Sequence, residues 1–150
     1  MEPKELITIL QDQKNNLNQL FSAVSQKQRS LVSSNYELLE DSIMKEERIL
    51  VNIQQSEKLR VKTLESLYKE FSISANSTRL QDFLEKTRKI IGDDIAANIS
   101  RLENEIKDII MRINNVNQQN KYLIEQSRMF IKETIQSVVN MKKKLLDRRV

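Results

Sequence analysis

Apolar side chains recur at alternating spacings of three and four residues along most of the chain, a pattern typical of amphipathic helices. After Pro3 they form one narrow stripe, which is interrupted by Gln13 and Lys27. The apolar members of this stripe are Leu6, Leu10, Leu17, Leu20, Val24 and Leu31. Proline suits the first turn of a helix, where its missing N–H group would have had no partner. The pattern predicts a first helix over residues 3–32.

The polar run Ser33-Ser34-Asn35 is the first candidate turn. Ser34 could cap a second helix, with Glu37 three residues later completing a capping box. A mild kink in one continuous helix is the alternative, and we favour a break. The second helix is predicted over residues 36–71, with its stripe weakened by Glu46, Glu57 and Arg60. The apolar positions of that stripe are Tyr36, Leu39, Ile43, Leu50, Ile53, Val61, Leu64, Leu67 and Phe71.

Residues 72–78, with the sequence SISANST, form the clearest polar loop. Thr78 and Gln81 have the spacing of another capping box, which predicts a short helix over residues 79–91. Gly92 stands where a left-handed residue commonly ends a helix. Asp93 and Asp94 then place negative charge at the start of the next helix, where the helix dipole favours it.

The longest periodic segment follows Gly92 and contains neither proline nor glycine. Its repeating positions are Ile95, Ile99, Leu102, Ile106, Ile109, Ile113, Val116, Asn120, Leu123, Ser127, Phe130, Thr134, Val138, Met141 and Leu145. This repeat predicts one continuous helix over residues 93–147 with a coiled-coil-like seam. The expected fold is all-α: an elongated antiparallel helical hairpin or bundle in one domain over residues 1–150, with a very long C-terminal helix.

The last predicted helix is longer than the two helices that would pack along it. At 1.5 Å per residue the first helix would span about 42 Å, the second about 54 Å and the last about 80 Å. Roughly 25 Å of the last helix, from about Phe130 onward, would therefore project from the bundle. This stretch, residues 129–147, is apolar over a wide arc, which usually marks a partner site in a soluble protein. The expected contact residues are Phe130, Ile131, Ile135, Val138 and Val139. Packing against another copy of the chain, or different helix boundaries, are the alternatives.

The amino-acid composition excludes most kinds of catalytic site. The 150 residues include one Gly, one Pro, no Cys and no His. Thiolate nucleophiles, His-based triads and Cys/His zinc sites are therefore excluded, as are glycine-rich phosphate loops. Adjacent carboxylates such as Glu46 and Glu47 point about 100° apart on a helix and do not converge on one site. We expect no enzyme activity, no cofactor and no metal.

Charge is concentrated near the C-terminus. The last ten residues carry five basic and one acidic side chain, a net charge of +4. The whole chain also has a net charge of +4, so the charges of the first 140 residues sum to zero. A nucleic-acid-binding protein typically has a basic surface, which this distribution of charge does not indicate. The basic end, Lys142 to Lys144 with Arg148 and Arg149, most simply complements the helix dipole; a phosphate or acidic-lipid contact is the alternative. The acidic amino terminus and the short apolar runs predict neither a signal peptide nor a membrane span, and so a cytoplasmic protein.

An Asn/Gln-rich run, NNVNQQN over residues 114–120, lies within the last helix. Asn120 falls on the seam, where a buried Asn typically fixes register or oligomeric state. We therefore expect a register or recognition role for Asn120 and a surface position for Asn114.

The segment NQQNKYLIEQ, residues 117–126, resembles the N-x-x-N-x-x-L-L signature of the FlgN family of flagellar type III export chaperones. Its motif positions are Asn117, Asn120, Leu123 and Ile124. The stretch from Leu38-Leu39-Glu40-Asp41 to Glu57-x-x-Arg60 is similar to the part of the second helix that precedes the family's mid-chain loop.

The resemblance implies a cytosolic chaperone that binds flagellar hook-associated proteins, also called hook–filament junction proteins. Such a chaperone would keep their terminal helical segments from associating prematurely and deliver them to the export gate. It would bind them, and components of the export apparatus, with no more than weak self-association. The amphipathic end of the last helix would hold the client, at the same residues that the length mismatch indicates. The alternative is a structural coiled-coil protein that self-assembles through its last helix.

Overall fold

The computed structural model describes residues 2–148 and contains four helices over that range. They are α1 (Pro3–Ser33), α2 (Tyr36–Glu70), α3 (Leu80–Ile91) and α4 (Asp93–Arg148). No strand is present in the described part of the chain. The predicted all-α class is confirmed, and each predicted helix boundary lies within one residue of the observed one. The predicted extent of 1–150 includes Met1, Arg149 and Val150, which lie outside the described residues.

The three long helices form an elongated bundle. α1 packs against both α2 and α4, while α3 packs on α4 near Gly92. α2 returns antiparallel to α1, and α4 runs parallel to α1. Two contacts fix this direction of α4: Lys14 Nζ lies 2.8 Å from Glu105 Oε2, and Asn120 Nδ2 donates to the carbonyl oxygen of Val24 at 3.0 Å.

The core consists of two apolar clusters along the bundle axis. The first, at the α3 end, contains Leu6, Leu10, Leu64, Leu67, Tyr68, Leu80, Phe83, Ile91, Ala96, Ile99 and Leu102. The second contains Leu17, Leu20, Ala23, Val24, Ile49, Ile109 and Ile113. In the first cluster the rings of Tyr68 and Phe83 meet edge to face, with centroids 5.4 Å apart. Burial raises the pKa of the Tyr68 hydroxyl.

The polar interruptions of the α1 and α2 stripes face each other. Gln13 Nε2 donates to Glu57 Oε2 at 2.9 Å, between the two apolar clusters. Arg60 also binds Glu57, and this hydrogen bond is the main reason why the pKa of the Glu57 carboxyl lies below its ordinary value. Lys27 Nζ lies 3.5 Å from Glu46 Oε2 at the far side of the second cluster. Matching polar positions favour one register of α1 against α2 over a slipped one.

The first half of α2 buries a different face from the one predicted. Ser42 and Ile49 are buried, whereas the predicted Ile43 and Leu50 are exposed, as is Tyr36. The observed face is therefore rotated by one residue. A serine is compatible with burial here because the Ser42 hydroxyl donates to the Leu39 carbonyl oxygen at 2.7 Å, so its polar group is satisfied within the helix.

The break between α1 and α2 is confirmed, but the predicted cap is wrong. Ser34 ends α1 in the left-handed conformation, with φ of 55° and ψ of 35°. Asn35 caps α2 instead, because its Oδ1 accepts a hydrogen bond from Leu38 N at 3.1 Å. Ser34 cannot supply this cap, since the N-cap residue needs extended backbone angles.

The predicted Thr78 cap of α3 is also wrong. α3 has Arg79 as its N-cap residue and no side-chain cap. The Thr78 carbonyl oxygen accepts a hydrogen bond from Arg60 Nη1 at 2.9 Å, which holds the loop against α2. Gly92 has the predicted positive φ, 89°, but its ψ of 160° is extended and lies outside the left-handed helical region. Asp93 and Asp94 do lie in the first turn of α4.

Candidate partner-binding site

α4 extends beyond the end of the α1–α2 pair. Leu123 and Ile124 are half-buried, and every described residue from Glu125 to Arg148 is exposed. We call residues 125–148 the overhang; as a helix it is about 36 Å long. The helix lengths predicted that α4 would project from about Phe130 onward. In the structure α1 and α2 stop covering α4 slightly earlier.

The five predicted contact residues all lie on the overhang and are exposed, as are Met141, Leu145 and Leu146. The eight side chains have exposed fractions between 53% and 70%. Sequence reasoning did not include the last three among the contact residues, although Met141 and Leu145 continue the seam spacing. In order around the helix the eight are Phe130, Met141, Leu145, Val138, Ile131, Ile135, Leu146 and Val139.

These eight side chains share one half of the helix surface. At 100° per residue they occupy an arc of about 180°, which we call the apolar arc. Phe130 and Met141 form one edge, and Val139 and Leu146 form the other. Thr134 and Lys142 also fall within the arc. The Thr134 hydroxyl donates to the Phe130 carbonyl oxygen at 2.8 Å and so is satisfied on the helix, whereas Lys142 places one positive charge between Ile131 and Ile135 around the helix. The opposite half is polar apart from the exposed Met129 and includes Glu133, Gln136 and Asn140.

The centre of the apolar arc is continuous with the buried face of α4. The buried residues between Ile99 and Asn120 fall within an arc of about 80°, centred on the same side of the helix. One amphipathic pattern therefore runs along α4, and in the part of the chain that the structure describes its covered positions end at Ile124.

A groove lies where α4 leaves the bundle. It is formed by the last turns of α1, the first turns of α2 and the start of the overhang, and encloses about 340 Å³. We call it the turn groove; its apolar lining is Leu31, Tyr36, Leu39, Ile43, Ile124 and Ile131. Tyr36 and Ile43 were predicted as core positions, so the sequence did not indicate this groove. The one-residue rotation of the α2 face exposes them here.

The overhang carries charges that have no ion-pair partner among residues 2–148. The ion pairs among the described residues lie between Lys14 and Lys107. Along the Val139 edge of the apolar arc stand Arg128, Lys132 and Lys143, none of which forms an ion pair within residues 2–148. The overhang holds six basic and three acidic residues, a net charge of +3.

The four motif residues mark the point where α4 leaves α1. Asn120 is 2% exposed, as expected for a seam position. Its Nδ2 atom is bonded to Val24, and its Oδ1 atom is buried without a partner in the described chain. Leu123 and Ile124 are half-buried one turn later, and Asn117 and Asn114 are exposed. Asn120 is thus placed to fix how far α4 projects.

No helix of the described chain is both long and apolar enough to cross a membrane. Residues 2–148 contain no group of three acidic side chains arranged to hold a metal ion.

Comparison with known protein families matches residues 1–144 to the family described as FlgN protein. Neither the curated proteins nor the solved structures contain a significant match.

Proposed function

Because its match covers nearly the whole length, the chain belongs to the FlgN family of flagellar export chaperones, and from this premise we propose that the overhang is its client-binding surface. The clients are the flagellar hook-associated proteins, bound through their terminal helical segments in the cytoplasm. The contact residues are Phe130, Ile131, Ile135, Val138 and Val139.

The observation that supports this proposal most is the uncovered apolar arc. An exposed apolar surface that extends about 24 Å along a helix, from Phe130 to Leu146, is unusual on a chain that functions alone, and such surfaces commonly mark partner sites. The arc has the helical spacing that a helix-in-groove partner requires. Since the arc continues the buried face of α4, a client helix placed on it would extend the packing that already exists in the bundle.

Binding of this kind explains both how the client is protected from premature assembly and how the chaperone can later release it. Each Å² of apolar surface removed from water contributes about 25 cal/mol to the free energy of binding. Folding a disordered client segment onto the arc costs about 2–5 kcal/mol of that gain. Micromolar affinity, about 8 kcal/mol, is a suitable balance for a carrier that must later give up its client. While bound, the apolar face of the client is unavailable for premature assembly.

Delivery to the type III export gate completes the proposed role. The chaperone would dock on components of the export apparatus while the overhang still holds the client. The motif positions Asn117, Asn120, Leu123 and Ile124 lie on α4 immediately before the overhang. We assign Asn120 the positioning of the overhang, through its bond to Val24.

Co-expression with the hook-associated proteins of the same organism, followed by size exclusion with light scattering, tests the proposal. The wild-type chain is expected to form a stoichiometric complex. Replacing Ile131, Ile135 and Val138 together by Ser should abolish it. The matched control replaces Glu133, Gln136 and Asn140, on the opposite half of the same helix, by Ser and should leave the complex intact.

Two results would contradict the proposal. One is a complex that survives the apolar triple substitution with unchanged affinity. The other is a chain that ignores every hook-associated protein and elutes as its own stable oligomer, which would favour a structural coiled-coil protein.

A further inference from the structure

The apolar arc is wider than one helix can cover. Between Ile99 and Asn120, where α1 is the main partner, α4 buries an arc of about 80°. On the overhang all apolar side chains except Met129 span about 180°. Phe130 at one edge and Val139 at the other point in opposite directions, so a single straight helix cannot contact both. Full coverage of the arc therefore requires two helices side by side.

The charge of the overhang disfavours a second copy of this chain as the cover. Two overhangs packed together would bring together two net charges of +3. Arg128, Lys132 and Lys143 stand along one edge, unpaired among residues 2–148, and complement a partner whose helix carries acidic residues at that edge. Charge complementarity of this kind favours the right partner and disfavours like-charged ones.

The turn groove supplies a place for the end of such a partner. It opens at the base of the overhang, and Ile124 and Ile131 of its lining lie near the centre of the apolar arc. Tyr36 and Ile43 of α2 contribute exposed apolar surface to the same groove. A helix on the overhang can therefore contact the end of the α1–α2 pair as well as α4.

From the arc width, the charge and the groove we propose that the client binds as two amphipathic helical segments, one along each edge of the apolar arc, with the segment on the Val139 edge acidic at its flank. Both segments meet the bundle at the turn groove, so that the client completes a multi-helix bundle around the overhang. This inference rests on the proposed function, since it specifies the form in which the client is held.

Two pairs of substitutions test each edge separately. Phe130→Ser with Met141→Ser removes one edge, and Val139→Ser with Leu146→Ser removes the other. Each pair should weaken the affinity for the purified hook-associated protein, measured by titration calorimetry, at least about tenfold. The control pair Gln136→Ser with Asn140→Ser, on the polar half, should leave the affinity within about twofold. Circular dichroism of each variant checks that the helices persist.

The acidic flank is tested by a charge change of equal size on two faces. Lys132→Gln with Lys143→Gln removes two positive charges from the Val139 edge, whereas Gln136→Glu with Asn140→Glu adds two negative charges to the polar half. The first pair should weaken client binding several-fold more than the second, and the difference should shrink at high salt.

The outcomes separate this inference from the proposed function. If the wild-type chain binds no hook-associated protein, the proposed function and this inference both fail. If the client binds but one edge pair leaves the affinity within about twofold, the two-segment arrangement alone is wrong, and a single helix occupies the other edge. If light scattering shows that the free overhang is already paired with a second copy, the client is not its occupant.

Discussion

The two parts of α4 differ in how much of their apolar surface is covered. From Ile99 to Asn120 the apolar positions of the helix other than Ile110 and Met111 are packed against α1 and the rest of the bundle, and charged residues such as Glu105 are paired. From Glu125 to Arg148 the same periodicity continues, yet the apolar side chains are exposed and the charges have no partner within residues 2–148. The first part maintains the fold, whereas the second is left uncovered among the described residues. Hydrophobic periodicity therefore shows that a helix has an apolar face, but not whether the chain itself covers that face.

The largest expected difference comes from one substitution made in each part. Ile99 is fully buried and Ile135 is 59% exposed. Ile99→Ala should lower the free energy of unfolding by about 2–5 kcal/mol, because it leaves a cavity in the core. Ile135→Ala should change it by no more than about 0.5 kcal/mol. Urea denaturation measures both. Similar losses at the two sites would mean that the overhang is covered in the free chain.

The boundary between the two parts offers a smaller contrast. Asn120→Ala removes the bond to Val24 and some packing, and should cost about 1–2 kcal/mol. Asn117→Ala, one turn earlier and exposed, should stay within about 0.5 kcal/mol. Thermal unfolding compares the two variants at equal pH and salt. A neutral Asn120→Ala would remove the assigned anchoring role of this residue.

The end of the α1–α2 pair can be stabilised without touching either part of α4. Ser34 holds a positive φ of 55°, which costs an L-residue energy that glycine does not lose. Ser34→Gly should therefore raise the free energy of unfolding by about 0.5–1 kcal/mol. Ser33→Gly, inside the last turn of α1, is the matched control and should lower it by a similar amount. If both substitutions destabilise the chain, the left-handed helix end is not present in solution.

The smallest effect expected is a dependence of stability on acid. The Lys14 ammonium, 2.8 Å from the Glu105 carboxylate, holds the pKa of Glu105 below its ordinary 4.5, and Arg60 does the same for Glu57. A carboxyl with a lowered folded pKa stabilises the fold above its unfolded value, and this contribution is lost as the pH falls through the folded pKa. Thermal midpoints should thus drop below about pH 4.5, and less steeply in Glu57→Gln. An identical acid profile in that variant would contradict the assigned ion pair.

The helices were predictable from sequence because their signals are local. Proline at position 3, the polar turn before Tyr36, the loop after Phe71 and Gly92 each mark a helix end, and the observed bounds agree within one residue. The projection of α4 also followed from helix lengths alone. These features depend on residues close to each other in the chain.

The errors arose where distant residues decide the outcome. Whether Ile43 or Ser42 turns inward depends on the crossing of α2 with α1, which periodicity defines only to within a residue. The turn groove was missed for this reason, because Tyr36 and Ile43 had been placed in the core. The caps failed because Ser34, Asn35 and Thr78 are all plausible capping residues, and Arg60, eighteen residues before Thr78, holds the loop that fixes the start of α3.

Amide hydrogen exchange, followed by mass spectrometry for the free chain and for its complex with a hook-associated protein, tests the central claim most directly. In the free chain, residues 125–148 should exchange much faster than residues 99–120, because no packing stabilises that part of α4. In the complex, protection should appear over residues 125–148 and over residues 31–43 of the turn groove. Slow exchange of the overhang in the free chain, or client protection confined to other helices, would contradict the account.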